Sequence, residues 1–518
     1  MQPAVEAYPD PPDAVASTTH AVRVDGQPIL VERHADIGYV RFAMSRPVSV
    51  EIEVALPIGN HTVFPATRVA STEVSGNKLT LRLDAPESVV VWIDELEKLV
   101  LLPDPPVADD PVPHDALSIT DFGAEPSGTS LATAAIQAAI DSGARRDRAA
   151  TVLIPRGLYR SGTLALRSGI TLYLAPGAVL KGSPDPADYP LDPGRHESHS
   201  DASLPPELRY LGRTMTFSRL LLVDDAHDVR ITGRGTIDGE GTFLRTRRGA
   251  APNLIRVRSS HAVTISDVLL RNSAAWTVHL LASRDVRVEN VKVINDRDNL
   301  NTDGIDPDMS SDVTIDRSFI YGKDDAICVK ATRNSDLSGE PHAISVNHNL
   351  VSARDAALKV GSESEAARFS DIRFEDNFVF ESGRAMSVVV CDGATYDGVA
   401  FRRVEVGPDV DHLVEQVIGS RDGTGGLGHL QDLALEGIAA PSFTPPASNW
   451  TWYAQFRPTR PQPGTEVDVF EGADEAHAVD GLSLKRLVVN GRHLRTAAEA
   501  RTVANLTIGK HVRRVSFE

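Results

Sequence analysis

The chain has 518 residues, and its 53 Lys and Arg against 71 Asp and Glu give a formal net charge of −18. At 41% hydrophobic and 24% charged it is too apolar to remain disordered, and no basic run offsets the acidic balance, which excludes a nucleic-acid partner. Two cysteines, Cys328 and Cys391, are too few for a disulfide framework or a four-ligand zinc site.

The first residues, MQPAVEAYPDPPDAV, lack a basic segment followed by an apolar one, and no apolar run reaches the roughly 18 residues that span a bilayer. The expectation is a cytoplasmic protein with no membrane partner, or a secreted one if a leader has been removed. From about residue 20 to 100, alternating strands are predicted at VEIEVAL from Val50, KLTLRL from Lys78 and VVVWI from Val89, with turns at Asp25-Gly26, Gly59-Asn60 and Gly76-Asn77. This reads as a small β-sandwich over 1–102. Five prolines in LLPDPPVADDPVPH then predict a stiff linker over 103–115, because proline supplies no amide to a sheet.

The clearest helix is SLATAAIQAAIDSG from Ser130, with Thr129 or Ser130 as N-cap and Gly143 as its stop; Leu131, Ile136 and Ile140 would cover the open end of a stack of strands. Beyond it, apolar strand starts recur at Val229, Val263, Val286, Val313, Ile344, Ile372 and Val399, in steps of 34, 23, 27, 31, 28 and 27 residues. Propeller blades need about 40 to 50 residues, and a flat parallel sheet needs crossover helices that are missing after residue 143. The fold class is therefore all-β: a right-handed parallel β-helix of about ten coils over 116–518, with an N-terminal capping helix, preceded by the sandwich.

The densest polar segment runs from Asp298 to Lys330 and carries Asp303, Asp306, Asp308, Asp324 and Asp325. Asp303 precedes Asp324 and Asp325 by 21 and 22 residues, close to the shortest coil step, so stacking about 4.8 Å per coil brings them to one face. Crowded carboxyls share protons unequally, which makes one an acid and another a base. A separation of about 6.5–9.5 Å would admit a water and invert a sugar's anomeric centre. Two other uses of these aspartates stand beside this one: turn formation, which Asp and Asn favour, and a calcium site of the kind used by β-helical lyases.

The motifs SITDFGAEPSGTSLATAAIQAAID from Ser118, VLIPRGLYRSGTLALRSGITLYLAPGAVLKGS from Val152, ITGRGTIDGEG from Ile231, NSAAW from Asn272, NTDGID from Asn301 and GKDDAICVK from Gly322 appear in one order. Together they resemble glycoside hydrolase family 28, the polygalacturonase-like inverting hydrolases with a right-handed β-helix. The resemblance covers most of 400 residues. It implies cleavage of an α-linked, pectin-type glycosidic bond, Asp324 as general acid, Asp303 and Asp325 as the bases that activate water, Asn301 as an orienting group, and no metal or organic cofactor. A cytoplasmic site points to an oligosaccharide rather than an intact polymer as substrate, cleaved from one end.

Two positions depart from the family. Asp355-Ala356-Ala357 replaces its Gly-His-Gly, with Ala356 in place of the assisting histidine, and ESGRAMSVVVCDG from Glu381 replaces its Arg-Ile-Lys triplet. Lys359 and Arg384 are the remaining candidates for gripping a hydroxyl or a displaced carboxylate, with Lys330 either binding substrate or pairing with the aspartates. Trp276 and His279 are placed one coil before Asp303, as a sugar platform or, for the histidine, a structural group. Trp450, Trp452 and Tyr453 lie in a long insertion from about Ala439 to Val479, a lid, a subsite wall or an oligomer contact. The β-helix flanks and this insertion leave room for a homo-oligomer. The competing functions are a non-catalytic carbohydrate-binding β-helix, and a lyase.

Overall fold

The computed structural model describes residues 4–106, 112–190, 218–333, 336–421 and 426–518. The sandwich is built from two sheets. One orders the strands Val5–Ala7, Ile37–Met44, Lys98–Asp104, Val89–Ile93 and His61–Phe64, with Glu32–His34 on the side; the other orders Gln27–Ile29, Ala21–Val24, Val48–Glu53, Lys78–Leu83 and Ser71–Ser75. Alternation explains the packing: Val48, Val50 and Ile52 face Leu79, Leu81 and Leu83 in a shared core, while the intervening polar residues face out. Lys98–Asp104 runs two residues past the boundary expected at 102. Pro103 is accommodated there because it pairs with Phe42 on one side only, beyond the last pairing with Val89–Ile93.

The rest of the described chain winds into three sheets, a first of thirteen strands that contains His227–Gly233, a second of thirteen that contains Leu269–Arg271 and Phe319–Gly322, and a third of nine that contains Ile305–Asp308 and Ile327–Ala331, parallel but for the pair Leu487–Val489 and Arg492–Leu494, as expected of a β-helix of about ten coils. The apolar starts read from sequence form one continuous register column, Val229 to Val263, Val286, Val313, Ile344, Ile372 and Val399, which extends to Leu433, Leu482 and Val515. From Val229 to Leu482 each inward Val, Ile or Leu is buried between similar neighbours, at roughly 1.5–3 kcal/mol per side chain, while Val515 at the end of the column is exposed. The capping helix spans Thr133–Ala144 and buries Ile136, Ala139 and Ile140. Thr129 and Ser130 do not cap it: they belong to the strand Ser127–Leu131, the helix begins after Ala132, whose amide is held by Arg160 O, and Leu131 is half exposed. Gly143 lies inside the helix, where a Cβ would meet Ile170 Cδ1 at 2.9 Å.

Turn chemistry accounts for much of the chain's Asp and Asn. Asp267, Asn290, Arg317, His348, Asp376 and Arg403 take the left-handed conformation at one corner of successive coils, and Asp228, Asp285, Asp312 and Asp371 do so within the strands of one sheet. Asp303, Asp306, Asp308, Asp324 and Asp325 are not among these left-handed residues. Their side chains answer to another requirement.

The strand Ile37–Met44 is buried on both faces, because Val40, Phe42 and Met44 enter the sandwich core whereas Ile37 and Tyr39 dock on the β-helix. They meet Leu269, Ile294, Phe319, Tyr321 and Phe380 on the outer face of the second sheet. Ion pairs seal the seam: Asp104 is fully buried against Arg234 (2.9 Å) and Lys292, and Arg271 bridges Asp13 and Asp238, both at 2.7 Å. Burial pulls the Lys292 ammonium down to about 8 despite the attraction of Asp104. Among the described residues no helix is long and apolar enough to cross a membrane.

Candidate active site

Second-sheet strands end, and third-sheet strands begin, at one corner of the solenoid. Phe319–Gly322 leads through Lys323, Asp324 and Asp325 into Ile327–Ala331, and one coil earlier Asn301 to Gly304 leads into Ile305–Asp308. Ile305 registers with Ile327, which places Asp303 beside Asp325, and the Gly304 amide donates to Asp325 O at 2.9 Å. Gly304 permits this approach, since a Cβ there would lie 2.3 Å from Ala326 O. One carboxylate oxygen from each of Asp303, Asp324 and Asp325 falls within 4.8 Å of the other two.

Two lysines reach this cluster from outward positions of the third sheet. Lys330 Nζ lies 2.9 Å from Asp303 Oδ2 and 3.1 Å from Asp306 Oδ1, and it rests 4.5 Å above the Trp276 ring. Lys359 Nζ donates to Asp325 Oδ2 and to Tyr453 Oη, both at 2.7 Å. Both lysines are 2% exposed or less, as are Asp303 and Asp306. Burial outweighs the Lys330 charge and pushes the Asp303 carboxyl well above the usual range and that of Asp306 up to about 7. Asp324 is half-buried, and its carboxyl is also raised, by desolvation first and by the neighbouring Asp325 second.

The geometry therefore offers a half-buried carboxyl at the cleft surface, Asp324, above two carboxyls that ammonium groups anchor from behind, an arrangement in which one carboxyl can give a proton while another takes one. The same three aspartates are the one cluster among the described residues able to hold a metal ion. Lys330 and Lys359 already supply positive charge to Asp303 and Asp325, the role a divalent cation would play there.

His279 is fully buried, its Nε2 2.9 Å from Asp308 Oδ2, and Thr332 donates to the same carboxylate; burial holds the imidazole well below its ordinary value. Trp276 is half-buried, edge-on to His279 at 4.7 Å, with Lys330 over its face. Asn301 occupies a left-handed turn two residues before Asp303. Arg384 is buried and paired to Asp355 and, at 3.1 Å, to Glu415. Ala356 lies buried at the next corner, its carbonyl accepting from the Ala326 amide.

The long insertion, read from sequence as a lid, a subsite wall or an oligomer contact, brings Tyr453 to the carboxyl cluster as a wall beside Lys359. A short helical turn, Trp452–Phe456, in the long insertion presses Tyr453 against Lys359 and Arg384, and Thr451 donates to Glu415. Trp452 remains half exposed, and the Trp450 indole donates to Pro461 O inside the insertion. Arg245 was missed. Its guanidinium donates to the carbonyls of Ala274 and Leu300, and burial near Asp324 pulls it down to about 10. The cue was the basic run LRTRR that follows the GTIDGEG motif.

Residues 213–402 match the family model "Glycosyl hydrolases family 28", and residues 116–186 match "Rhamnogalacturonase A/epimerase, pectate lyase-like". A probable polygalacturonase of Vitis vinifera is 30% identical over 279 residues, 51% of this chain and 54% of that protein. An exo-poly-alpha-D-galacturonosidase of Dickeya chrysanthemi is 27% identical over 347 residues, 55% of this chain and 54% of that protein. The chain thus spans about half the length of the curated relatives it matches. Among solved structures, a family 28 exopolygalacturonase of Yersinia enterocolitica superposes with a TM-score of 0.57 at 16% identity, covering 91% of this chain and 96% of its own. Dex49A of Penicillium minioluteum gives 0.59 at 11% identity, covering 99% and 96%. At such identities these structures establish the fold.

Proposed function

We propose that the protein is a family 28 glycoside hydrolase that removes α-linked sugars from one end of a pectin-type oligosaccharide, a reading supported by the match of residues 213–402 to that family's model. Asp324 protonates the glycosidic oxygen, and Asp303 with Asp325 activates the attacking water. The observation that carries this reading is the half-buried Asp324, its carboxyl raised by burial, within 4.8 Å of two carboxyls that the buried ammonium groups of Lys330 and Lys359 hold in place. Attack at a chain end is supported by exo-acting relatives, the Dickeya exo-poly-alpha-D-galacturonosidase among them. A binding module needs no such graded set of carboxyls, and a calcium-dependent lyase would leave the ammonium partners unexplained.

Inversion rests on family membership. The 4.8 Å within which one oxygen of each carboxyl lies is a contact between oxygens and not the carboxyl-to-carboxyl span that sets the stereochemical outcome, so inversion is to be tested against retention directly. Proton NMR of the first-formed anomer decides between them. The activity itself is tested on uronate-containing and neutral oligosaccharides. Wild type should release reducing ends without an ultraviolet-absorbing product, and Asp324→Asn should lose about 10²–10⁴ of the rate. Sugar binding without cleavage, or full activity in Asp324→Asn, refutes the assignment.

A further inference from the structure

A second concave surface lies away from the carboxyl cluster, on the outer face of the first sheet where the sandwich meets the β-helix. It is a groove of about 680 Å³. Pro86, Pro105, Pro106 and Tyr173 give it apolar walls, and its floor is a ladder of short hydroxyl side chains, with Thr232 Oγ1 2.9 Å from Ser266 Oγ.

Four arginines line this groove against two carboxylates, Asp267 and Glu289, in a protein whose net charge is −18. Two arginines are spoken for: Arg234 pairs with Asp104 and Asp267, and Arg317 with Glu289 and Asp316. The other two, Arg230 and Arg287, are exposed and have no ion pair or hydrogen bond among the described residues. They occupy one register column with Thr264 between them, so two strand spacings, about 9.6 Å, separate them along the solenoid axis.

Unneutralised guanidinium groups at a fixed interval, with hydroxyls between and flat apolar walls beside them, suit an extended ligand that alternates carboxylates with sugar faces. Guanidinium groups take carboxylates in a planar, two-point geometry, while proline and tyrosine rings pack against the C–H faces of a pyranose. We infer that this groove is a second carbohydrate-binding site, for a carboxylate-bearing polysaccharide segment, separate from the cleft that holds Asp324.

The inference rests on the charge and spacing of the groove, so its test is independent of turnover. The full chain carrying Asp324→Asn is run by affinity gel electrophoresis through polygalacturonate, through dextran as a neutral polymer, and through polyglutamate as a carboxylate polymer without sugar faces. Retardation by polygalacturonate, weaker in 0.15 M salt than at low salt, is expected. Adding Arg230→Ala and Arg287→Ala should raise the apparent Kd about tenfold with an unchanged melting temperature. Arg373 is an exposed arginine of the same column outside the groove, paired with Asp371, and Arg373→Ala should leave retardation as it was. The proposal is overturned if the double variant is retarded like its parent, if Arg373→Ala weakens retardation as much, or if dextran or polyglutamate retards the protein as strongly as polygalacturonate does.

Discussion

Asp306 is the aspartate whose replacement tests the electrostatics of the cluster most directly. It is fully buried, shares Lys330 with Asp303, and its carboxyl is pushed up from 3.8 to about 7. An unfolded chain releases this proton near pH 4, whereas the folded protein holds it until about pH 7. In that window the unfolded state binds fewer protons, so stability falls as pH rises. At about 1.36 kcal/mol per pH unit, the interval from 3.8 to 7 amounts to at most about 4 kcal/mol above pH 7. Asp306→Asn keeps the shape and removes the ionisation. Urea unfolding should find the variant more stable than wild type by up to about 4 kcal/mol at pH 8 and equal to it near pH 4. The acid limb of the pH–rate profile should move to lower pH as well, because Asp303 loses a like-charged neighbour and keeps Lys330. A variant less stable than wild type at pH 8, or a gain independent of pH, would refute this account.

Other consequences are as direct. Asp104→Ala takes the carboxylate from Lys292 in the seam beneath the sandwich and leaves Arg234 with Asp267 alone, and should cost about 3–5 kcal/mol in a denaturant titration; pairing it with Lys292→Met should recover part of the loss. Tyr453→Ala opens the wall beside Lys359, and chromatography of the products should show longer oligosaccharides appearing next to the single sugar. Tyr453→Phe keeps the wall and removes one hydrogen bond to a charged group, so about 1.5–3 kcal/mol of stability should go with little change in product length. Chelator should leave the rate unchanged, as Lys330 and Lys359 already neutralise the acidic cluster; a loss restored by calcium would contradict this.

The β-helix was legible because stacking demands the same residue type at the same place in every coil. The column from Val229 to Val399 could be read before any contact was known, and the same stacking brought Asp303 to Asp325. Contacts made by irregular chain were not legible. No period links Tyr453 to Lys359, 94 residues apart. The helix start was misplaced because Thr129 and Ser130 suit a cap as well as a strand, and pairing with the next coil decides between them. A cue for the docked sandwich was present and unused: LLR from Leu269 and FIYG from Phe319 are apolar on both faces, which a solvent-facing sheet does not need.

The insertion between Ala440 and Val479 leaves the ladder of the first sheet undisturbed, for Leu433 registers with Leu482 as though nothing stood between them. Scaffold and cleft wall can therefore vary separately in descent. Lengthening a loop at a corner costs only a slowly growing closure entropy, while every inward side chain keeps its neighbours. A lineage can lengthen, shorten or exchange this wall, and with it the size of fragment released, without renegotiating the stability of the solenoid. Homologues of this chain should thus differ most in the segment that carries Tyr453 and least in the strands on either side of it.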